Sequence, residues 1–155
     1  MKFEMPLLKK KIKQPRTVFY LILFLFFQAL IHLHENHVVH RDIKGSNILL
    51  TEDGRVKLVD YGICRKFRTL DKIHSCIGSP AWLAPEVVTC GDDGGYDARA
   101  DVWALGITAI ELGDGKAPYE DMHPARALFQ IVRNPPPSLY RTGNWSQIYN
   151  DFITE

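Results

Sequence analysis

The chain has 155 residues, 46% of them apolar, with 19 Lys+Arg against 18 Asp+Glu for a net charge of +1. This is the composition of a globular chain that can bury a core, which excludes a disordered or fibrous one. Near-neutrality gives no field to attract nucleic acid, so no nucleic-acid partner is expected.

The charge is unevenly placed. Residues 1–16 hold Lys2, Lys9, Lys10, Lys11, Lys13 and Arg16 against Glu4 alone, a local +5 that leaves −4 for the remainder. The ten residues Val18 to Phe27 are all apolar, but Gln28, His32 and His34 follow at once, so the run is too short to span a bilayer. A basic start followed by an apolar core also resembles a secretory signal, yet no small-residue cleavage site follows. A membrane partner is therefore not expected. From Phe26 onward, Phe26, Ala29, Leu30 and Leu33 fall at helical spacing and predict a helix laid on a core.

Ile48-Leu49-Leu50 and Val56-Lys57-Leu58-Val59 read as two short strands, joined through the turn signal Glu52-Asp53-Gly54 into a hairpin. Residues 61–97 are rich in Gly, Pro, Ser and charge, a long irregular segment of the kind that usually carries function. Asp101 to Leu112 is apolar nearly all round and predicts a helix buried inside the domain. Pro124 suits the first turn of another helix running to Val132, and Pro135-Pro136-Pro137 forbids its continuation. Ser146 can cap a last helix. Cys64, Cys76 and Cys90 are odd in number and form no C-x-x-C pair, which suits a reducing compartment and opposes a disulfide framework or zinc ribbon.

Chemistry concentrates in His40-Arg41-Asp42-Ile43-Lys44-Gly45-Ser46-Asn47 and in Asp60-Tyr61-Gly62, with the hairpin between them. A hairpin returns its ends to one place, so Asn47 and Asp60 can converge beside Asp42 and Lys44. Hard oxygen ligands clustered with a lysine suit Mg²⁺ and phosphate, the equipment of phosphoryl transfer. His32, His34, His37 and His40 fall close together, but no Cys or carboxylate completes a zinc set at known spacing.

With Ala84-Pro85-Glu86 downstream, these three motifs in order resemble the signature of the eukaryotic protein kinases. The resemblance runs from about Gln28 to Glu155 and implies a mainly helical kinase C-terminal lobe with a small β-hairpin, an incomplete α+β kinase fold lacking the N-terminal lobe. It implies Asp42 as catalytic base, Asn47 and Asp60 as Mg²⁺ ligands, and Lys44 as a serine/threonine-type contact to the transferred phosphoryl group. Ser46, with Asn47, would line the ATP site, and Leu49 would form the adenine-pocket floor. Ser79 matches a position usually Thr, whose hydroxyl bridges the base and the lysine. Arg41 implies control by a phosphate on the activation segment, with Ser75 the first candidate acceptor and Thr69 the second. Asp101 would hold the backbone of the His40-Arg41-Asp42 turn, or cap its helix, or both. Tyr61 for the usual Phe keeps a packing ring, and Cys64 reads as packed rather than reactive.

Within the kinases, residues 78–86 and 106–112 look like the germinal-centre branch, and Glu111 to Pro137 is similar to the kinase domain of class III unconventional myosins. The implied function is transfer of the γ-phosphoryl group of ATP to a protein Ser/Thr hydroxyl, in the cytoplasm and in association with the cytoskeleton for the full-length protein. Actin or calmodulin would bind only through regions outside this chain. No G-x-G-x-x-G motif occurs, so the 155 residues alone are expected to be inactive, and the alternative is a truncated lobe acting as a binding module. Glu86 is expected to lack its family arginine partner, at a cost if buried. Residues 1–27 are read as a non-kinase leader and expected to be translated intron: the Phe/Leu/Ile/Tyr run is what a pyrimidine-rich tract encodes, and Gln28 what a splice-acceptor CAG encodes.

Overall fold

The computed structural model describes residues 16–51, 54–68, 71–92 and 94–154. Among the described residues there are five α-helices: α1 (Arg16–Glu35), α2 (Pro85–Val88), α3 (Arg99–Asp114), α4 (Pro124–Arg133) and α5 (Gln147–Thr154). The expected hairpin is present as β2 (Ile48–Leu50) and β3 (Val56–Leu58), antiparallel with Ile48 opposite Leu58. Gly54 takes the left-handed conformation (φ 81°) that its turn requires, while Glu52 and Asp53 lie outside the described residues. A second two-stranded sheet pairs β1 (Val38–Val39) with β4 (Arg65–Lys66); two residues per strand are too few for an alternating pattern to reveal.

Helix α3 runs through the centre. Its residues 104, 105, 107, 108, 109 and 110 are all buried, which agrees with the helix expected from its all-round apolar surface. Gly115 ends it at φ 86°, donating its N–H to the Glu111 carbonyl. Pro124 opens α4 as expected, and the helix stops at Arg133, two residues before the prolines. Ser146 caps α5 by accepting the Tyr149 N–H at 3.2 Å.

The expected start of the first helix is corrected: α1 begins at Arg16, ten residues before Phe26, and crosses the 27/28 boundary drawn from composition. Phe19, Ile22, Leu23, Phe26 and Leu30 are buried, a 3-1-3-4 spacing that puts them on one face. Ile22, Leu23, Phe26 and Leu30 pack on Ile43, Ile48, Leu58, Leu105, Ala109 and Tyr149, each fully buried side chain stabilising the fold by about 2 kcal/mol. An aromatic set ties the first turns of α1 to the residues around the start of α5. Phe19 meets Trp145 edge-on at 5.4 Å, Trp145 stacks on Tyr149 at 4.6 Å, and the Tyr20 hydroxyl lies 2.7 Å from Ser146 Oγ. Among the described residues no helix is long and apolar enough to cross a membrane.

Candidate active site

The segment from His40 to Asn47 leaves β1 and hangs on α3. Asp101, 1% exposed, accepts the backbone N–H of His40 at 2.8 Å and of Arg41 at 2.9 Å, and its Oδ2 is 2.9 Å from His34 Nε2. The capping alternative for Asp101 is thereby corrected. Ala98 occupies the N-cap position, and it is Asp97 Oδ1 that accepts the Arg99 N–H at 3.0 Å, because the Asp101 carboxylate is committed to the backbone amides of His40 and Arg41. Arg41 sits at φ 71° and Asp60 at φ 65°. Both are non-glycine residues in the left-handed region, a conformation that costs energy and clusters at functional sites.

Three side chains close a ring, and a fourth, Asn47, joins it at Asp42. Ser79 Oγ donates to Asp42 Oδ1 at 2.7 Å and accepts from Lys44 Nζ at 2.7 Å. Lys44 Nζ also pairs with Asp42 Oδ2 at 2.9 Å. Asn47 Nδ2 donates to the same Oδ2 at 3.0 Å and to the Asp42 carbonyl at 2.8 Å. Burial pushes the Asp42 carboxyl up, but the Ser79 and Lys44 hydrogen bonds, the Lys44 charge and the Asn47 bond outweigh it, leaving the pKa below the usual value. Asp42 is therefore ionised at neutral pH and able to accept a proton.

The hairpin does bring its ends together: Val59 N–H donates to the Asn47 carbonyl at 3.0 Å, which sets Asp60 beside the loop. Asp60 is exposed, Ser46 is exposed, and Leu49 is half-buried opposite Lys57. His40 is fully buried. Its Nδ1 accepts the Asp42 N–H at 3.3 Å, and its ring meets Tyr61 at 5.1 Å. Burial lowers its pKa although Asp101, the Val59 backbone, Asp42 and Asp60 all favour the proton; Nε2 nonetheless reaches no hydrogen-bond partner. The four histidines do not converge. His32 is exposed, His34 goes to Asp101, and His37 lies edge-on to Phe67.

Arg41 reaches across to the irregular segment, donating through Nε to the Ile63 carbonyl at 2.6 Å and through Nη1 to Ser75 Oγ at 2.9 Å. Thr69, the other candidate acceptor, lies outside the described residues. Gly78 (φ 142°) permits the closest approach: a Cβ there would sit 2.6 Å from the Arg41 carbonyl. Burial pushes the Cys64 thiol up to about 11, in keeping with a packed residue rather than a reactive one. Glu86 is half-buried at the edge of a groove, so the full burial cost anticipated for it is not incurred.

The protein kinase domain profile matches residues 5–154. The chain belongs to the protein kinase domain family. It is 62% identical over 131 residues to the Drosophila melanogaster protein "Neither inactivation nor afterpotential protein C", covering 83% of this chain and 9% of that protein. It is 52% identical over 141 residues to human Myosin-IIIa, covering 87% and 9%, and 53% identical over 129 residues to rat Misshapen-like kinase 1, covering 81% and 10%. The chain thus spans about a tenth of the length of these relatives. The resemblance to serine/threonine kinases of the class III myosin and germinal-centre type agrees with these matches, and the mainly helical lobe agrees with the family.

Three residues that sequence reasoning missed brace this kinase domain. Glu111 Oε2 accepts Gly45 N–H at 3.0 Å and Trp82 Nε1–H at 3.1 Å, joining the loop after Asp42 to the segment after Ser79. Tyr96 donates its hydroxyl to the Ser75 carbonyl at 2.9 Å. His34 supports Asp101. The only signal for Glu111 was a charge inside an apolar helix; Tyr96 and His34 carried none, since their partners lie 21 and 67 residues away.

Proposed function

We propose that this kinase lobe transfers the γ-phosphoryl group of ATP to a serine or threonine hydroxyl of a protein. The observation that carries the proposal is the closed ring of Asp42, Lys44 and Ser79, with Asn47 bonded to Asp42. Asp42 Oδ1, held ionised by Ser79, acts as the base for the substrate hydroxyl. Lys44 lies beside it as a cation for the transferred group. The donor set fits a hard divalent ion. Both Asn47 N–H groups are spent inside the loop, which turns its side-chain oxygen into the remaining acceptor, and Asp60 is an exposed carboxylate one residue past Val59. Asn47 and Asp60 would hold Mg²⁺, and Ser46, Lys44 and Leu49 would line the ATP side. When bound, the ion supplies charge neutralisation at the phosphates.

Ser75 is the proposed regulatory acceptor, supported by its contact with Arg41. A phosphate there would meet the guanidinium directly.

The chain contains no glycine-rich phosphate loop, which favours, for the 155 residues taken alone, a binding role over turnover. The purified chain should transfer no phosphate above an Asp42→Asn control. Joined to a matching N-terminal lobe and C-terminal helices, it should phosphorylate a protein substrate, and Asp60→Ala should abolish this. A joined enzyme that Asp60→Ala leaves active would overturn the proposal, and Mg·ATP affinity of the lone chain separates a nucleotide site from a mere docking module.

A further inference from the structure

The irregular segment that follows Asp60 is fastened in its middle. Ile73 and Tyr96 exchange backbone hydrogen bonds, Ile73 N–H to the Tyr96 carbonyl at 2.9 Å and Tyr96 N–H to the Ile73 carbonyl at 3.0 Å, and both side chains are buried. The Tyr96 hydroxyl donates to the Ser75 carbonyl at 2.9 Å. Next to it Lys72 pairs with Asp97 at 2.7 Å, an exposed contact that adds little. Ser75 is thus held twice: its carbonyl by Tyr96, and its hydroxyl by Arg41 at 2.9 Å.

Four residues further on stands Ser79, whose hydroxyl meets Asp42 and Lys44. A chain fixed at Ser75 has only residues 76–78 left to place, so little conformational entropy is lost when Ser79 reaches the ring. The Tyr96 ring belongs to a buried cluster with Ile73, Leu83 and Ala84, a place that a phenylalanine would fill equally well. The hydroxyl is the part that packing does not require. Burial pushes the Tyr96 pKa up even with Arg41 beside it, so the hydroxyl keeps its proton and stays a donor.

We infer that Tyr96 is a positioning residue whose hydroxyl seats the segment on Arg41 before any phosphate is added, so that Ser79 reaches Asp42 in the unmodified chain, a role that rests on the proposed reading of Asp42 as the base. A phosphate on Ser75 would meet Arg41 through charge-assisted hydrogen bonds and hold the same segment by a second route. Either support, the Tyr96 hydroxyl or the phosphate, then suffices to keep Ser79 in the ring.

The lobe joined to a matching N-terminal lobe and C-terminal helices, prepared with Ser75 unmodified, tests this through Tyr96→Phe. The parent should be active, and the variant should lose at least roughly tenfold in kcat with its KM for ATP changed by less than about twofold. Phosphoserine placed at position 75 during translation should return the variant to within roughly threefold of the parent, a rescue that a lost packing contact would not show. In the 155-residue chain the same variant should speed hydrogen exchange of the Ile73 amide and leave that of Leu105 in α3 unchanged. A variant with the parent's kcat, a loss that phosphoserine does not repair, or a parent inactive until Ser75 carries phosphate would overturn the inference. A joined parent inactive in both states would instead sink the kinase reading. Hydrogen exchange then decides the role of Tyr96, and an Ile73 amide unchanged by Tyr96→Phe overturns it.

Discussion

Ser79 Oγ stands 2.7 Å from Asp42 Oδ1 although 37 residues separate the two in sequence. The same oxygen receives Lys44 at 2.7 Å, so one hydroxyl orients both the carboxylate and the ammonium. Removing it frees two charged side chains to choose other rotamers. In a joined, active kinase domain Ser79→Ala should lower kcat by between roughly tenfold and 100-fold, while Ser79→Thr keeps the hydroxyl and most of the rate. Steady-state kinetics on the two variants check this; an alanine variant with the parent's kcat would show that the ring is held by other contacts.

Phe26 is fully buried, and Phe24 on the same helix is 59% exposed. Phe26→Ala should cost about 3–5 kcal/mol of stability by leaving a cavity among Leu105, Ile43 and their neighbours. Phe24→Ala should stay within about 0.5 kcal/mol of the parent. Urea denaturation of both variants distinguishes a helix that is part of the core from a segment merely appended to it, for which the two losses would be equal.

Asp101 carries two backbone amides and His34 on one carboxylate. Asp101→Ala leaves the His40 N–H buried without an acceptor and the Arg41 N–H without this one, so a loss of about 3 kcal/mol is expected, at roughly 1–3 kcal/mol for each unmet group. Asp101→Asn retains one acceptor oxygen and should lose less. Chemical denaturation gives the size, and hydrogen exchange of the His40 and Arg41 amides, faster in the alanine variant, gives the place.

Acid should weaken the fold in two separate windows. Burial depresses the His40 pKa below 6.5, so from there up to about 6.5 the unfolded chain binds a proton that the folded chain refuses, and stability rises with pH. Cooling of the effect to zero is expected above that value. The depressed Asp42 carboxyl acts lower: its contribution is present above an unfolded pKa of about 3.9 and is lost as pH falls through the folded value. Urea midpoints measured between about pH 7 and pH 5 should fall for the parent and fall less for His40→Gln, which cannot take the proton. Parallel slopes for the two proteins would assign the loss to other groups.

Sequence alone determined the parts whose cause is local. The order of His40-Arg41-Asp42, Asp60-Tyr61-Gly62 and Ala84-Pro85-Glu86, the hairpin around Gly54, and the helix that begins at Pro124 follow from backbone preferences and spacing within a few residues. Tertiary structure decided what depends on distant partners. In Val18 to Phe27 every residue is apolar, so no periodicity can say which face turns inward. Trp145 and Tyr149, more than 100 residues on, cover Phe19 and Tyr20 and choose it. The same holds for Asp101. A carboxylate in the first turn of a helix is suited to that helix's own amides, and only the arrival of His40 and Arg41, about 60 residues away in sequence, gave it stronger claims. Ser79 could be matched to a bridging position, but that its hydroxyl meets Asp42 and Lys44 together required the loop, the irregular segment and α3 to be packed in one place, where burial makes each hydrogen bond costly to break.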